Sequence, residues 1–446
     1  MKYSPKSVPS YDARREPPPT AGLPLQVSDW LPAAASLEAA LAEFIGVGEA
    51  LVSCSGTAAL VAALEALVAR APERLEVIVP AYTCPLVPLA IAHCGLTTVL
   101  CDIEPETFNF DLEALERLCG DNTLAVIPTH YGGRVSAVLP ALDMAHAAGA
   151  WVIEDAAQSL GAKIDGRSVG LEGDIGFFSL AVGKGLTLFE GGVLVAKTPA
   201  LLAECRARLS RQSHPQHWPQ RLRGYVWDWQ RTFELLAYTV VYRPVFLRWF
   251  YARPVRKALA QNDLIDAAGD DFSRNIPLHR VGSVRKTVGY HALKRLPQWV
   301  RQLRAQGQDR YQRLLQLEGI HVYGDTLQKV TAEVAATIES PTYAEKTAEG
   351  AWPFIMILMP SNKARDWLIE RSWGAGLGAS LMFVHAMPDY DVYRDIIAEA
   401  APGDFPGARE IASRMVVISN SPWMTDARFE ALCSLIKKAI SVTKAR

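Results

Sequence analysis

The chain has 446 residues, half of them hydrophobic, and a formal net charge of −1. That length exceeds what one apolar core serves, so two domains are expected, and the balanced charge speaks against a general nucleic-acid partner. Seven scattered cysteines, Cys54, Cys84, Cys94, Cys101, Cys119, Cys205 and Cys433, show no CxxC or CxxH spacing, which argues for reduced thiols in the cytoplasm and against a zinc site or a disulfide framework.

The first twenty residues, MKYSPKSVPSYDARREPPPT, contain no apolar core, so no signal peptide is expected. No uninterrupted apolar run reaches ~18 residues, which speaks against a conventional membrane span. Residues 1–32, rich in proline and charge, read as an extended arm, either laid on a partner subunit or disordered. Residues 33–45 carry helical apolar spacing, with Ser36 placed as the cap. From residue 50 to about 203, helices alternate with short apolar runs at 50–52, 76–79, 97–101, 124–127, 151–153 and 192–195. That alternation predicts an α/β domain over residues 33–204, a mostly parallel sheet covered by helices on both faces. The loops at one edge of such a sheet can all reach one ligand.

Residues 205–283 break the pattern. They hold Trp218, Trp227, Trp229 and Trp249, with arginines at 206, 208, 211, 221, 223, 231, 243, 248, 253 and 256, against only Asp228 and Glu234 before Lys257. Pro244 should bend or break any helix there. Three readings stay open for 205–260: peripheral contact with a membrane interface, a helix packed on the protein's own body, or a Trp- and Arg-rich dimer contact. Nucleic acid suits it less, since aromatic and basic residues do not repeat at a stacking interval. Residues 284–446 read as a smaller C-terminal α/β domain. Helices are expected over 284–317, with Pro297 at a helix start or bend, then strands at 352–359 and 414–419 and helices at 366–373 and 426–439.

Three features carry chemistry. Lys184 stands in a glycine-bracketed turn, Gly183-Lys184-Gly185, where a deprotonated amine could form a Schiff base with a carbonyl. Asp155 follows the apolar run 151–153, at the end of a buried strand, and could serve as the carboxylate partner of a pyridine nitrogen. Ser55, Gly56 and Thr57 open a helix whose first-turn N–H groups and hydroxyls suit a phosphate dianion. Each has an ordinary counterpart: a surface loop, a metal ligand or helix cap, and a plain Ser/Thr N-cap.

The ordered set SGTAAL, VPAYT, CDIEPETFNFD, VIPTHYGG, VIEDAAQSLGA, GDIGFFS, Lys184 and EGG resembles the DegT/StrS family of sugar aminotransferases, fold type I pyridoxal-phosphate enzymes. The resemblance is close over residues 39–202 and loose in the C-terminal third. It implies a large domain with a mostly parallel, seven-stranded type of sheet and pyridoxal 5′-phosphate as cofactor. It further implies Lys184 as the cofactor-bearing lysine, Asp155 as the ring-nitrogen partner and Gln158 near the 3-hydroxyl. Gly56, Thr57 and Ser179 would hold the phosphate, and the small Ala157 would let the ring lie flat. Two departures stand out. Cys84 occupies the position of the family's usual ring-stacking aromatic residue, with Tyr82 two residues earlier, so stacking on Tyr82 or no stack at all is open. Ala181 stands where the family tends to carry a histidine. His385, in a loop loosely similar to the family's substrate side, either touches substrate or is structural.

The implied reaction moves an amino group from an amino-acid donor, glutamate by resemblance, to a keto-sugar acceptor that is nucleotide-linked in the family and could here be lipid-bound. A homodimer is implied too, in the cytoplasm, with the inner face of the membrane an option through the insert. The rivals are a pyridoxal-phosphate sugar dehydratase, against which the lysine at 184 argues, and a membrane-associated homologue without turnover.

Overall fold

The structure, a computed structural model, describes residues 15–213, 218–325, 347–399 and 404–444. Residues 1–14 of the expected arm, and the side chains of Trp218 and Arg221 in the insert, lie outside the described residues.

The large sheet is built from β1 (Leu51–Ser53), β2 (Glu76–Pro80), β3 (Thr97–Cys101), β4 (Thr123–Val126) and β5 (Trp151–Asp155). After a small hairpin, β6 (Lys163–Ile164) and β7 (Arg167–Ser168), it is completed by β8 (Ile175–Ser179) and β9 (Gly192–Ala196). The spatial order is β1-β9-β8-β5-β4-β2-β3. Strands β3, β2, β4, β5 and β8 pair in parallel, and β9 runs against both of its neighbours. Every residue of β4 and β8 is buried, which is why such strands read as continuous apolar runs rather than as alternation. Along β8 and β9, Phe177 and Leu194 enter one apolar core while Phe178, Val193 and Val195 enter another, as the two-residue period of a strand requires.

Strand β8 was not among the expected runs. Its second residue is Gly176, where a Cβ would lie 2.1 Å from the carbonyl oxygen of Gly170. Close backbone approach, not sheet propensity, chose that residue.

Helices α1 (Leu37–Ile45), α2 (Gly56–Arg70), α3 (Leu86–His93), α4 (Leu112–Leu118), α5 (Leu139–Ala147) and α6 (Pro199–Ser213) complete this part. Ser36 caps α1 as its position predicts, its Oγ accepting from the Ala39 N–H at 3.2 Å. The insert is helical: α7 (Trp218–Val241), α8 (Pro244–Leu247), a π-helical turn Arg248–Ala252, α9 (Arg253–Ala260) and α10 (Leu264–Ala268). Pro244 opens a new helix and so fixes the break. Leu235 and Tyr238 on the inner side of α7, with Tyr242 just beyond it, are buried in the core shared with β8 and β9. The outer side is apolar and uncovered, with Val226, Trp229, Phe233 and Val240 each about 60% exposed or more.

The C-terminal part runs α11 (Ser283–Leu293) and α12 (Leu296–Leu314), with Pro297 in the first turn of α12. Strands β10 (His321–Val322), β12 (Phe354–Leu358), β13 (Ala379–Ser380) and β14 (Met415–Ser419) form an antiparallel sheet in the order β10-β12-β14-β13. The short β11 (Ala348–Glu349) instead joins the hairpin strand β6. Helices α13 (Asn362–Ser372), α14 (Pro406–Arg414) and α15 (Asp426–Lys444) accompany the antiparallel sheet. Val255, Ala258 and Leu259 of α9 share one core with Ile355, Trp373 and Phe429, so the insert packs on this second sheet as well.

From Arg15 onward the expected arm is not free but packs against its own chain. Glu16, Ala21, Leu23 and Leu25 are buried in their own chain. The Ala21 N–H donates to the Pro353 carbonyl at 2.8 Å, and the Leu23 N–H to that of Gly185 at 3.1 Å. Among the described residues no helix is long and apolar enough to cross a membrane.

Candidate active site

The carboxyl ends of the parallel strands gather the chemistry. Asp155 is the last residue of β5, Ser179 the last of β8, and Lys184 lies in the loop between β8 and β9. Gly56 and Thr57 form the first turn of α2, just past β1, and Cys84 follows β2. Gly56 lies against Ser179, since a Cβ on it would sit 3.3 Å from the Ser179 Cβ. The lysine loop needs its glycine: Gly183 has φ +79°, and a Cβ there would meet Thr20 Oγ1 at 2.3 Å. Gly22 is also close, since a Cβ on it would sit 3.0 Å from Gly183 Cα and from the Lys184 carbonyl oxygen. The segment Thr20–Leu23 is therefore a strap across the back of the lysine loop.

Burial lowers the Lys184 pKa from its ordinary value, with Cys84 and Asp155 pulling the other way. A neutral amine is what nucleophilic attack on a carbonyl needs. Burial also raises the Asp155 carboxyl, against the pull of the Ala157 N–H, Lys184 and His130. Asp155 is 5% exposed, and its Oδ1 accepts from the Ala157 N–H at 2.9 Å. Its Oδ2 has no hydrogen-bond partner among the described residues, so a cationic nitrogen beside it would restore the charged form. The Cys84 thiol, near both groups, is pushed up to about 12 by burial and stays un-ionised.

Behind Asp155 stands a buried pair that the sequence reading passed over. His130 Nε2 lies 3.0 Å from Glu154 Oε2, and its Nδ1 accepts from the Ser136 N–H. Burial works to raise the Glu154 carboxyl, but His130 and the N–H groups of Gly173 and Gly170 outweigh it and hold it below the ordinary range.

The start of α2 has two idle donors. Ser55 Oγ caps the helix by accepting from the Ala58 N–H at 3.0 Å, and the Ser55 carbonyl takes the Ala59 N–H. The N–H groups of Gly56 and Thr57 donate to no group among the described residues, and they point with the positive end of a 15-residue helix. Ser55 thus plays the ordinary cap role, and its neighbours carry the anion-binding capacity. Ser179 Oγ accepts from the Ala181 N–H at 3.3 Å, which leaves its hydroxyl hydrogen to donate. Gln158 Oε1 accepts from the Gly132 N–H at 2.8 Å, leaving its NH2 free, and Ala157 and Gln158 are both half-buried.

Tyr82 is a correction. Its ring is fully buried among Phe108, Tyr131 and Phe383, and its hydroxyl is spent on the Phe383 backbone. A side chain packed on every side cannot also face a ligand, so the half-buried Cys84 is the residue beside Lys184 and Asp155.

The insert delivers another unforeseen residue, Asp270. It is 3% exposed, and its Oδ2 accepts from the Tyr390 hydroxyl at 2.6 Å and the Val384 N–H at 2.8 Å. His385 packs edge-on against Tyr390, and burial lowers its pKa. An acid next to Asp271 in the loop AAGDDFS offers no sequence pattern that marks it. Among the described residues no group of three or more His, Cys, Asp or Glu side chains could hold a metal ion.

A model of the DegT/DnrJ/EryC1/StrS aminotransferase family matches residues 26–226 and 280–437. GDP-perosamine synthase of Caulobacter vibrioides is 37% identical over 169 residues, 38% of this chain and 45% of that protein. UDP-N-acetyl-3-dehydro-alpha-D-glucosamine 3-aminotransferase of Acidithiobacillus ferrooxidans is 35% identical over 172 residues, 38% of this chain and 46% of that protein. The chain thus spans about half the length of these curated relatives. In fold, a Streptococcus pneumoniae protein solved in its PLP form superposes with TM-score 0.66 at 17% identity, covering 94% of this chain and 98% of that one. DesI, solved in the presence of its TDP-sugar product, gives TM-score 0.64 at 20% identity, covering 96% and 97%. Residues between the two matched blocks include most of α7 and all of α8 to α10.

Proposed function

Since this chain belongs to the DegT/DnrJ/EryC1/StrS aminotransferase family, we propose that it transfers an amino group from an amino-acid donor, glutamate in our reading, to a keto-sugar. The observation that carries the proposal is the meeting of Lys184, held toward its neutral form, with Asp155, whose second oxygen is unbonded, beside the idle Gly56 and Thr57 N–H groups. Amine, carboxylate and anion seat match the aldehyde, ring nitrogen and phosphate of pyridoxal 5′-phosphate, the family's cofactor. When bound, that group supplies the electron sink that makes a proton on the reacting carbon labile.

The chain's own residues do the rest. Lys184 Nζ takes the proton from the donor's α-carbon and hands it on, and burial, by disfavouring the charged form, leaves that nitrogen free to accept it. Asp155 would favour a proton on the ring nitrogen through charge attraction in a dry setting. The Gly56 and Thr57 N–H groups and the Ser179 hydroxyl, left free by their own bonding, would hold the phosphate, the Gln158 NH2 would donate to the 3-hydroxyl, and Ala157 would leave room beside the ring. Cys84, in place of an aromatic residue, would offer a soft sulfur surface beside the ring. The strap Thr20–Leu23 keeps water from the back of the lysine loop.

The acceptor belongs to the same proposal: a nucleotide-linked keto-sugar, supported by the sugar-nucleotide names of the relatives above. So does a cytoplasmic homodimer, supported by seven unpaired thiols and by the family resemblance. The test is a half-reaction. Glutamate added to the cofactor-loaded protein must shift the cofactor's absorbance and release one equivalent of 2-oxoglutarate, and a nucleotide-linked keto-sugar must then restore the spectrum. A spectrum that no amino acid changes would end the proposal.

A further inference from the structure

We propose that a cavity where the insert meets Arg15, Glu16 and the loop at Gly374 and Gly376 binds the phosphate headgroup of an anionic phospholipid, docking the protein on a membrane surface. The cavity, about 170 Å³, is lined by four arginines, Arg15, Arg248, Arg253 and Arg256, with Glu16 at its floor. Arg256 Nε is buried with no hydrogen-bond partner, a donor awaiting an acceptor. Glu16 lies near but makes no hydrogen bond to that Nε, and its Oε2 accepts from the Gly376 N–H at 2.7 Å. Among the described residues Arg248 and Arg253 pair with no carboxylate, and the sequence holds no acid from residue 235 to 262. Two guanidinium groups without a carboxylate partner, beside the unbonded Arg256 Nε, suit a phosphate oxyanion.

The apolar half of the site adjoins the basic half. Arg253 stacks over the Trp249 ring at 3.4 Å and Arg248 lies 5.5 Å from it. Trp249 is 49% exposed, and beside it Phe250 is 68% and Phe246 is 41% exposed. Aromatic rings at headgroup depth with arginines on the phosphates are the composition of an interfacial helix. A second copy of this chain is the weaker occupant. Two-fold pairing sets each patch against itself, which here would bring Arg243, Arg248, Arg253 and Lys257 of each copy together. The inference does not rest on the transfer reaction. The strap ties the two places together, since Glu16 at the cavity floor lies four residues before Thr20 at the lysine loop.

The test is flotation of the full chain with phosphatidylcholine vesicles, with and without phosphatidylglycerol, at low and high salt. The protein is expected to float only with the anionic vesicles and to release as salt screens the contact. The double variant Arg248→Gln/Arg253→Gln is expected to bind roughly 25-fold more weakly, from about fivefold per charge near the surface. Trp249→Ala/Phe250→Ala is expected to weaken binding by roughly tenfold. Retained melting temperature serves as the folding control. If a variant fails to fold, the wild type decides, through its need for anionic lipid and its salt release. Equal flotation of folded variants, or no flotation of the wild type, overturns the proposal. Binding of inorganic phosphate without vesicle binding assigns a free-phosphate site and overturns it as well. The same holds if Trp249→Ala/Phe250→Ala changes the mass in solution and leaves flotation intact, which is the signature of a contact between copies.

Discussion

Replacing Glu16 by glutamine should stabilise the protein at alkaline pH and leave it unchanged in acid. The carboxyl is 3% exposed, and burial raises its pKa from 4.5 to about 7, despite the Gly376 N–H and the nearby Arg428 and Arg256. In the unfolded chain the group ionises near 4.5, in the folded chain near 7. Below 4.5 both states hold the proton and the group is neutral to folding. Between pH 4.5 and 7 the unfolded chain gives up the proton while the folded chain keeps it, so the folded state loses about 3 kcal/mol relative to the unfolded chain, in full once the buried group ionises near 7. Glutamine keeps an acceptor for the Gly376 N–H and never ionises. With roughly 2 cal/mol/K of unfolding entropy per residue, that difference is worth about 3 °C in melting temperature for a chain of this length. Differential scanning fluorimetry of Glu16→Gln and wild type should give a gap of about 3 °C at pH 8 that closes below pH 5. A variant that melts lower than wild type at pH 8 would mean that the arginines hold Glu16 ionised, and would refute the reasoning.

Two other outcomes follow from named contacts. Ser179→Ala removes one hydroxyl donor to the phosphate seat and should weaken cofactor retention about tenfold, read by dialysis and absorbance, with little change in melting temperature. Arg285 is fully buried and bonded to Asp228 Oδ1 through both Nε and Nη2, at 2.9 and 2.8 Å, and to the Glu190 carbonyl at 2.7 Å. Arg285→Ala leaves Asp228 unpaired where α7 meets α11 and should cost about 3–5 kcal/mol, seen as a drop of several degrees in the melting temperature.

What the sequence disclosed follows from how local each signal is. Strands β2 to β5 are buried on both faces, so their apolar runs stand out, and Ser36, Pro244 and Pro297 mark helix ends through their own backbone chemistry. Lys184, Asp155, Gly56 and Thr57 were legible because motif order placed them at strand ends, where the topology brings loops together. Tyr82 misled because an aromatic residue near a site reads like a stacking ring, while its hydroxyl answers to Phe383, 301 residues away. The same distance in sequence hid Glu16 and Asp270, whose partners are Gly376 and Tyr390. The insert's arginines seemed unpaired for this reason too. Arg206 meets Glu49 and Arg231 meets Glu190, carboxylates far along the chain, whereas Arg248 and Arg253 meet none among the described residues.

The most direct measurement of the central claim is borohydride reduction of the cofactor-loaded protein followed by peptide mapping. The account predicts one reduced adduct, on the peptide containing Lys184, and none in Lys184→Ala. An adduct on another lysine, or its persistence in that variant, would contradict it.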